Sequence, residues 1–145
     1  MSSLVEFLRD QKKKLERVQK ERAKALNEWL LHLDQLFKDI ETWLEPAKKE
    51  GLEIERGKVE ISEEYLGTYV APVLEIAFAG TKVRLEPVGR HVIGAFGRVD
   101  VFSPLGVHKL VLLTDGWYLV IGGPEQRLPL TQDTFEDFLR KAFSA

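Results

Sequence analysis

ALNEWLLHLDQLFKDIETWLEPAKKEGLEIERGKVEI, residues 25–61, carries the change of period on which the fold turns. Up to Leu44 the apolar residues recur at helical spacing: Ala25, Leu26, Trp29, Leu30, Leu33, Leu36, Phe37, Ile40, Trp43 and Leu44 make one broad stripe. A stripe that wide suits a helix lying on a sheet. Glu45-Pro46 disfavours helix at Glu45 and removes a backbone donor, so the regular helix should end near Leu44. One further turn can run to Gly51, a residue suited to the left-handed position after a helix. Beyond Gly51 the period falls to two. Leu52, Ile54, Val59 and Ile61 alternate with charged residues, and Arg56-Gly57 between them reads as a bulge or tight turn.

Reading back from Ala25, the helical pattern continues to about Leu4 in a thinner form. Leu8, Leu15, Arg22, Trp29, Leu36 and Trp43 recur every seventh residue, and Leu4, Gln11, Val18, Ala25 and His32 form a second such series. Together they are the two seam positions of a heptad, interrupted by Gln11, Arg22 and His32. Ser2 or Ser3 can cap the start. About 41 helical residues span roughly 60 Å at 1.5 Å each. The other residues, packed compactly, form a body only roughly 30 Å across. The first half of the helix must therefore project, fold back near Asn27, or be covered by a partner, and its seam of Leu4, Leu8, Leu15, Val18 and Arg22 favours the partner.

Reading forward, Glu63 to Thr68 is a connector. Val70 to Ala79 and Lys82 to Val88 are strands joined by a hairpin around Gly80. A glycine-punctuated stretch, Gly89 to Gly97, leads into a strand from Arg98 to Phe102. Pro104-Leu105-Gly106 is a turn, and Val107 to Thr114 a mostly apolar strand. Asp115-Gly116 is the strongest hairpin signal, feeding Trp117 to Ile121, with a short edge strand at Gln126 to Leu128. Thr131 is a good N-cap for a last helix with Phe135, Phe138, Leu139 and Phe143 on one face. The order predicts an α+β fold: a long N-terminal amphipathic helix, an antiparallel sheet of about six strands in meander order, and a short C-terminal helix packed on the sheet. The expected division is one domain over 1–145, with 1–24 a projecting basic half-helix and 25–145 the globular body. A helix–meander–helix order is common among small bacterial proteins and carries no function by itself.

Composition narrows the chemistry. The chain has 145 residues, 44% hydrophobic and 30% charged, the balance of a folded protein. It has no cysteine, which excludes thiol chemistry, disulfides and cysteine-ligated metal centres. Its apolar runs, such as Leu110 to Leu113, are far shorter than the roughly 20 residues a membrane-spanning helix needs. Glu6 and Asp10 break the apolar patch a secretory signal would require. These readings predict a cytoplasmic protein. Net charge is −2, but Arg9 to Lys24 holds eight basic residues against three acidic, a local +5, while Gly51 onward is −3. Any electrostatic preference for a partner lies on the first helix.

No nucleophile–base arrangement is visible: there is no G-x-S-x-G elbow, and Ser103 before Pro104 is a turn residue. His32, His91 and His108 are too far apart in sequence for a histidine metal motif. His32, at a seam position, should be a core or interface polar residue. Arg98 and Asp100 share a strand face. They read either as an ion pair or, with His91 and the glycine-rich stretch, as an acid or anion site. Glu75, Glu86 and Asp100 could converge for a divalent metal but lack an accompanying E-x-K tripeptide. Gly94-Ala95-Phe96-Gly97 has the glycine spacing of a nucleic-acid clamp, without its helical flanks or basic centre. No cofactor motif is present.

Lys12, Lys13, Lys14, Arg17, Lys20 and Lys24 are the most visible polar feature. They spread around the helix, because successive residues point about 100° apart. Asp10–Lys14 and Glu16–Lys20 can pair one turn apart. A solvated exterior accounts for them; phosphate-backbone contact is the competing reading. The functional expectation is a non-enzymatic interaction or oligomerisation module. Its heptad-patterned helix would pair with a second copy or with another helical protein. The alternatives are a nucleic-acid-associated protein using residues 9–24 and a small enzyme with a site near Arg98 and Asp100.

Overall fold

The computed structural model describes residues 3–90, 96–123 and 126–145. Ser3–Leu44 is one unbroken α-helix of 42 residues, α1. It runs straight through Asn27, so the rod does not fold back. As the Glu45-Pro46 step requires, the α-helix stops at Leu44 and tightens into a 3-10 segment, Glu45–Glu50. Gly51 closes it at φ 99°, a conformation that costs glycine nothing. The Gly51 and Leu52 amides donate to the carbonyls of Lys48 and Ala47, satisfying helix-end acceptors that would otherwise be orphaned.

Seven strands follow: β1 Glu53–Glu63, β2 Gly67–Phe78, β3 Thr81–Gly89, β4 Gly97–Ser103, β5 Gly106–Leu113, β6 Gly116–Val120 and β7 Arg127–Pro129. They pair in sequential order, every neighbour antiparallel. The α+β meander is as the sequence predicts, with one strand more than the expected six. The seventh is β7, the short edge strand expected at Gln126 to Leu128, which forms at Arg127–Pro129. Helix α2, Gln132–Ser144, begins where Thr131 caps it: the Thr134 amide donates to the Thr131 hydroxyl and the Thr131 amide to the Thr134 hydroxyl.

Both helices lie on the same face of the sheet. Trp43 of α1 meets Phe135 of α2 at 6.3 Å between ring centroids. Val83 and Leu85 of β3, Val99 and Val101 of β4, and Leu110 of β5 are fully buried beneath the helices. Their neighbours Arg84, Glu86, Arg98 and Asp100 alternate onto the other, open face. One stripe of α1, from Ala25 through Trp29, Leu33, Phe37 and Ile40 to Leu44, supplies the helical side of this core.

The β1–β2 ribbon departs from simple alternation. Pairing runs from Glu53↔Ala77 to Glu63↔Gly67 without a register shift, so the bulge or turn expected at Arg56-Gly57 does not form. The face changes instead. Ile54 packs on the core and Arg56 reaches α1, bonding Asp34 and Glu41; beyond Gly57 the core-facing residues are Val59 and Ile61. On β2 the switch falls between Ala71 and Leu74, across Pro72 and Val73. β3 pairs with β2 only as far as Leu74↔Leu85. The outer half of the ribbon is therefore free to coil over the helix, bringing its tip to Trp29.

At that point the packing is tight. Trp29 is fully buried, and a side chain at Gly97 would be driven into its six-membered ring. Trp117 meets the same indole from β6, 6.1 Å between centroids. The missing β-carbon at position 97 is what lets β4 pass beneath the indole. Gly97→Ala is expected to lower stability by about 2–3 kcal/mol through overpacking, measured by denaturant unfolding. Gly57→Ala, where nothing lies within 4 Å, should be neutral or stabilising by up to about 1 kcal/mol.

Candidate functional site

The first half of α1 stands clear of the sheet. Every residue from Ser3 to Lys24 is exposed, and burial begins at Ala25. Among the seam residues, Leu4 is 61% exposed, Leu8 54%, Leu15 58% and Val18 40%. Val5 and Phe7 are also exposed beside them, so the tip carries more apolar surface than the seam alone. Twenty-two residues at 1.5 Å each give an arm of roughly 33 Å. Its backbone hydrogen bonds continue those of a helix clamped in the core.

The seam and the core stripe are one face of one rod. Leu8, Leu15, Arg22, Trp29 and Leu36 belong to a single series, the first two open to solvent and the last two covered by the sheet. A seven-residue repeat drifts only about 20° per heptad on a straight helix. The apolar side of the arm therefore overhangs the same side on which the sheet sits. Lys12, Lys13, Lys14, Arg17, Lys20 and Lys24 are all exposed and surround the arm. At its root the Arg22 guanidinium lies 6.0 Å from the centroid of the Tyr65 ring, at the turn joining β1 to β2.

Behind Tyr65 a polar relay anchors the helix. The Trp29 indole N–H donates to the Tyr69 hydroxyl at 3.0 Å. Tyr69 donates in turn to the Glu63 carboxylate, which also accepts the Arg90 backbone amide at 3.0 Å. Burial first, and then Glu63, push the Tyr69 hydroxyl well above its ordinary value. A second clasp holds α1 lower down. Arg56 bonds Asp34 at 2.8 Å and Glu41 at 2.9 Å while lying over Phe37. The hydrogen bond from Arg56, and then that from Lys38, hold the Asp34 carboxyl below its ordinary value. Neither network is visible in the sequence, because the bonds that reach α1 join residues 15 to 40 positions apart.

Below the relay a cleft of about 480 Å3 opens between α1 and the sheet. Glu28, His32 and Asp39 line its helix side, and Arg90, Phe96 and Trp117 its sheet side. His32 is exposed there, so of the two places expected for it, core or interface, it is not in the core. By residue 32 the seam has drifted to the edge of the broader core stripe. No group of three metal-ligating side chains occurs among the described residues.

Arg98 and Asp100 occupy the open sheet face and bind each other at two points, 2.8 Å and 3.2 Å. Glu86 pairs with Asp100 in register, while Glu75 bonds Lys82 and Arg84. Glu86 and Asp100 thus face each other as like charges, and each is paired with a basic residue of its own strand, Glu86 with Arg84 and Asp100 with Arg98. His91, the third residue proposed for this region, lies outside the described residues, as do Gly94 and Ala95 of the clamp-like tetrapeptide. His108 faces α2, edge-on to Phe138 at 5.2 Å. Trp117 takes the core side of β6 and Tyr118 the outer side, where it bonds Asp115.

No family model, curated protein or solved structure matches the chain.

The relay has a pH signature. With its folded pKa raised, Tyr69 contributes fully below the unfolded value of about 10, and its contribution falls as pH rises past that value. Tyr69→Phe is expected to cost about 1–3 kcal/mol at neutral pH, since it leaves the indole N–H without its acceptor and removes one donor from Glu63. The deficit should shrink near pH 11. Denaturant titrations of both proteins at the two pH values measure it.

Proposed function

We propose that this protein is a non-enzymatic interaction module that associates through the exposed half of α1, seam against helix. The observation that carries the reading is the extension of the core stripe into solvent along one unbroken helix. A face that is fully buried at Trp29 and Leu33 continues as an open row of Leu4, Leu8, Leu15 and Val18. Fully covering a leucine is worth about 1.5–3 kcal/mol, so a protein left alone would leave a continuous strip of that stabilisation unused. Contiguous exposed apolar surface with a polar surround marks an interaction site.

The basic residues fit this reading as the surround. Lys13, Arg17, Lys20 and Lys24 lie away from the seam, where charge keeps the free arm soluble and costs the association little. The competing reading gives those residues the leading role, with the arm lying along a nucleic-acid backbone. It predicts affinity that falls steeply with salt and is indifferent to the seam.

A seam variant separates the two. Leu15→Asp/Val18→Asp changes only exposed positions, so the body should fold with an unchanged thermal midpoint. Light-scattering mass across a concentration series should show association in the native chain and at least about 100-fold weaker association in the variant, equivalent to about 2.7 kcal/mol. A native chain that stays monomeric and captures no helical partner sinks the proposal. Salt-sensitive polyanion binding that survives the double substitution would favour the nucleic-acid reading.

A further inference from the structure

Resting on the reading that the arm associates with a helix, we infer that the helix is α2 of a second copy, with Leu4, Phe7 and Leu8 seated in the groove beside it. That groove lies at the other end of the rod. It holds about 500 Å3 and is walled by Leu44 and Ala47 at the end of the helix, by Leu52 and Phe78, and by Leu139 and Phe143 of α2. Phe78 packs edge-on against Phe143, 5.9 Å between centroids, yet remains exposed. The outer turns of the arm present the matching shape. Leu4, Phe7 and Leu8 stand at i, i+3 and i+4, within about 100° of arc, and each is more than half exposed. Anchors at this spacing are how an amphipathic helix fills an apolar groove.

Charge selects a second copy as the occupant. Glu50 and Glu136 stand at the rim of the groove, and among the described residues neither has an ion-pair partner. Arg140, also at the rim, is engaged by Asp137. On the arm, Arg9 and Lys12 follow the anchors within about one turn of Leu8. The larger parts show the same contrast, +5 from Arg9 to Lys24 and −3 from Gly51 onward. The arm cannot fill its own groove, because about 57 Å of unbroken helix separates the anchors from Leu44. The receiving body has room on the sheet side. About 24 Å of helix lies between the anchors and Arg22, where the arm's own body begins at Tyr65. A body roughly 30 Å across reaches only about 15 Å toward it, covering Leu15 and stopping short of Arg22. The contact joins unlike surfaces, so each added copy leaves one arm and one groove open.

Complementation between two full-length variants tests the pairing. Phe7→Asp/Leu8→Asp disables the arm and Phe78→Asp the groove; all three positions are exposed. By sedimentation, the native mass should pass two copies as concentration rises, and each variant alone should associate at least about 10-fold more weakly. Their equimolar mixture should form a 1:1 heterodimer that grows no further, because it joins the one intact arm to the one intact groove. A mixture as monomeric as its components would overturn the pairing of these surfaces. If Phe78→Asp lowers the thermal midpoint, a charge exchange replaces it. Glu50→Lys/Glu136→Lys and Arg9→Glu/Lys12→Glu should each weaken association at low salt, and mixing the two should restore it; no recovery would overturn the proposal. Association that survives Phe78→Asp but is lost in Leu15→Asp/Val18→Asp would place the arm's partner elsewhere while the seam reading stands. A native chain that stays monomeric would overturn the second copy as occupant, and the seam reading with it if no helical partner is captured.

Discussion

The structure depends on the clamping of Trp29. The indole is trapped between the bare backbone of Gly97 and the ring of Trp117, and its N–H is satisfied by Tyr69. That site fixes where α1 crosses the sheet and how it is rotated about its own axis. Rotation is the quantity that matters, because in a continuous helix it is inherited by every residue of the arm. Once Trp29 faces down, Leu8 and Leu15 must face nearly the same way. The orientation of the exposed seam is thus set by packing about 20–30 Å away, with no contact of its own to define it.

The relay and the Arg56 clasp serve the same end from different elements. The outer part of the β1–β2 ribbon supplies Tyr69 and Glu63, and its inner part supplies Arg56. It reaches α1 at both levels only because its core-facing side changes near Gly57. The hairpin is in effect a strap laid across the helix. The remaining strands form the flatter platform on which α1 and α2 rest. This construction resists rotation of the rod and so fixes which face of the arm lies on the sheet side.

The open sheet face tells a different story. Its charged residues are engaged with each other, Arg98 with Asp100, Arg84 with Glu75 and Glu86. Such ladders keep an uncovered sheet surface soluble at small energetic gain. The arm carries a row of exposed apolar side chains, Leu4, Leu8, Leu15 and Val18, and the cleft beneath His32 a mixed polar and aromatic surface.

Local chemistry settled much of this in the sequence alone. Pro46 and Gly51 stop the helix, Asp115-Gly116 turns a hairpin, and Thr131 caps α2, each because a few adjacent atoms decide the outcome. The length of α1 against the size of the body was equally legible, since both follow from residue counts. What only the tertiary structure decided involves partners far apart in the chain. No periodicity could announce that Tyr69 and Glu63 satisfy Trp29, that Arg56 turns inward to α1, or that His32 opens onto a cleft. Nor could it show that β1 changes faces at Gly57 without losing register. The alternation on either side was visible, but the coil that reconciles the two halves comes from wrapping a ribbon over a helix, and only the assembled layers impose it.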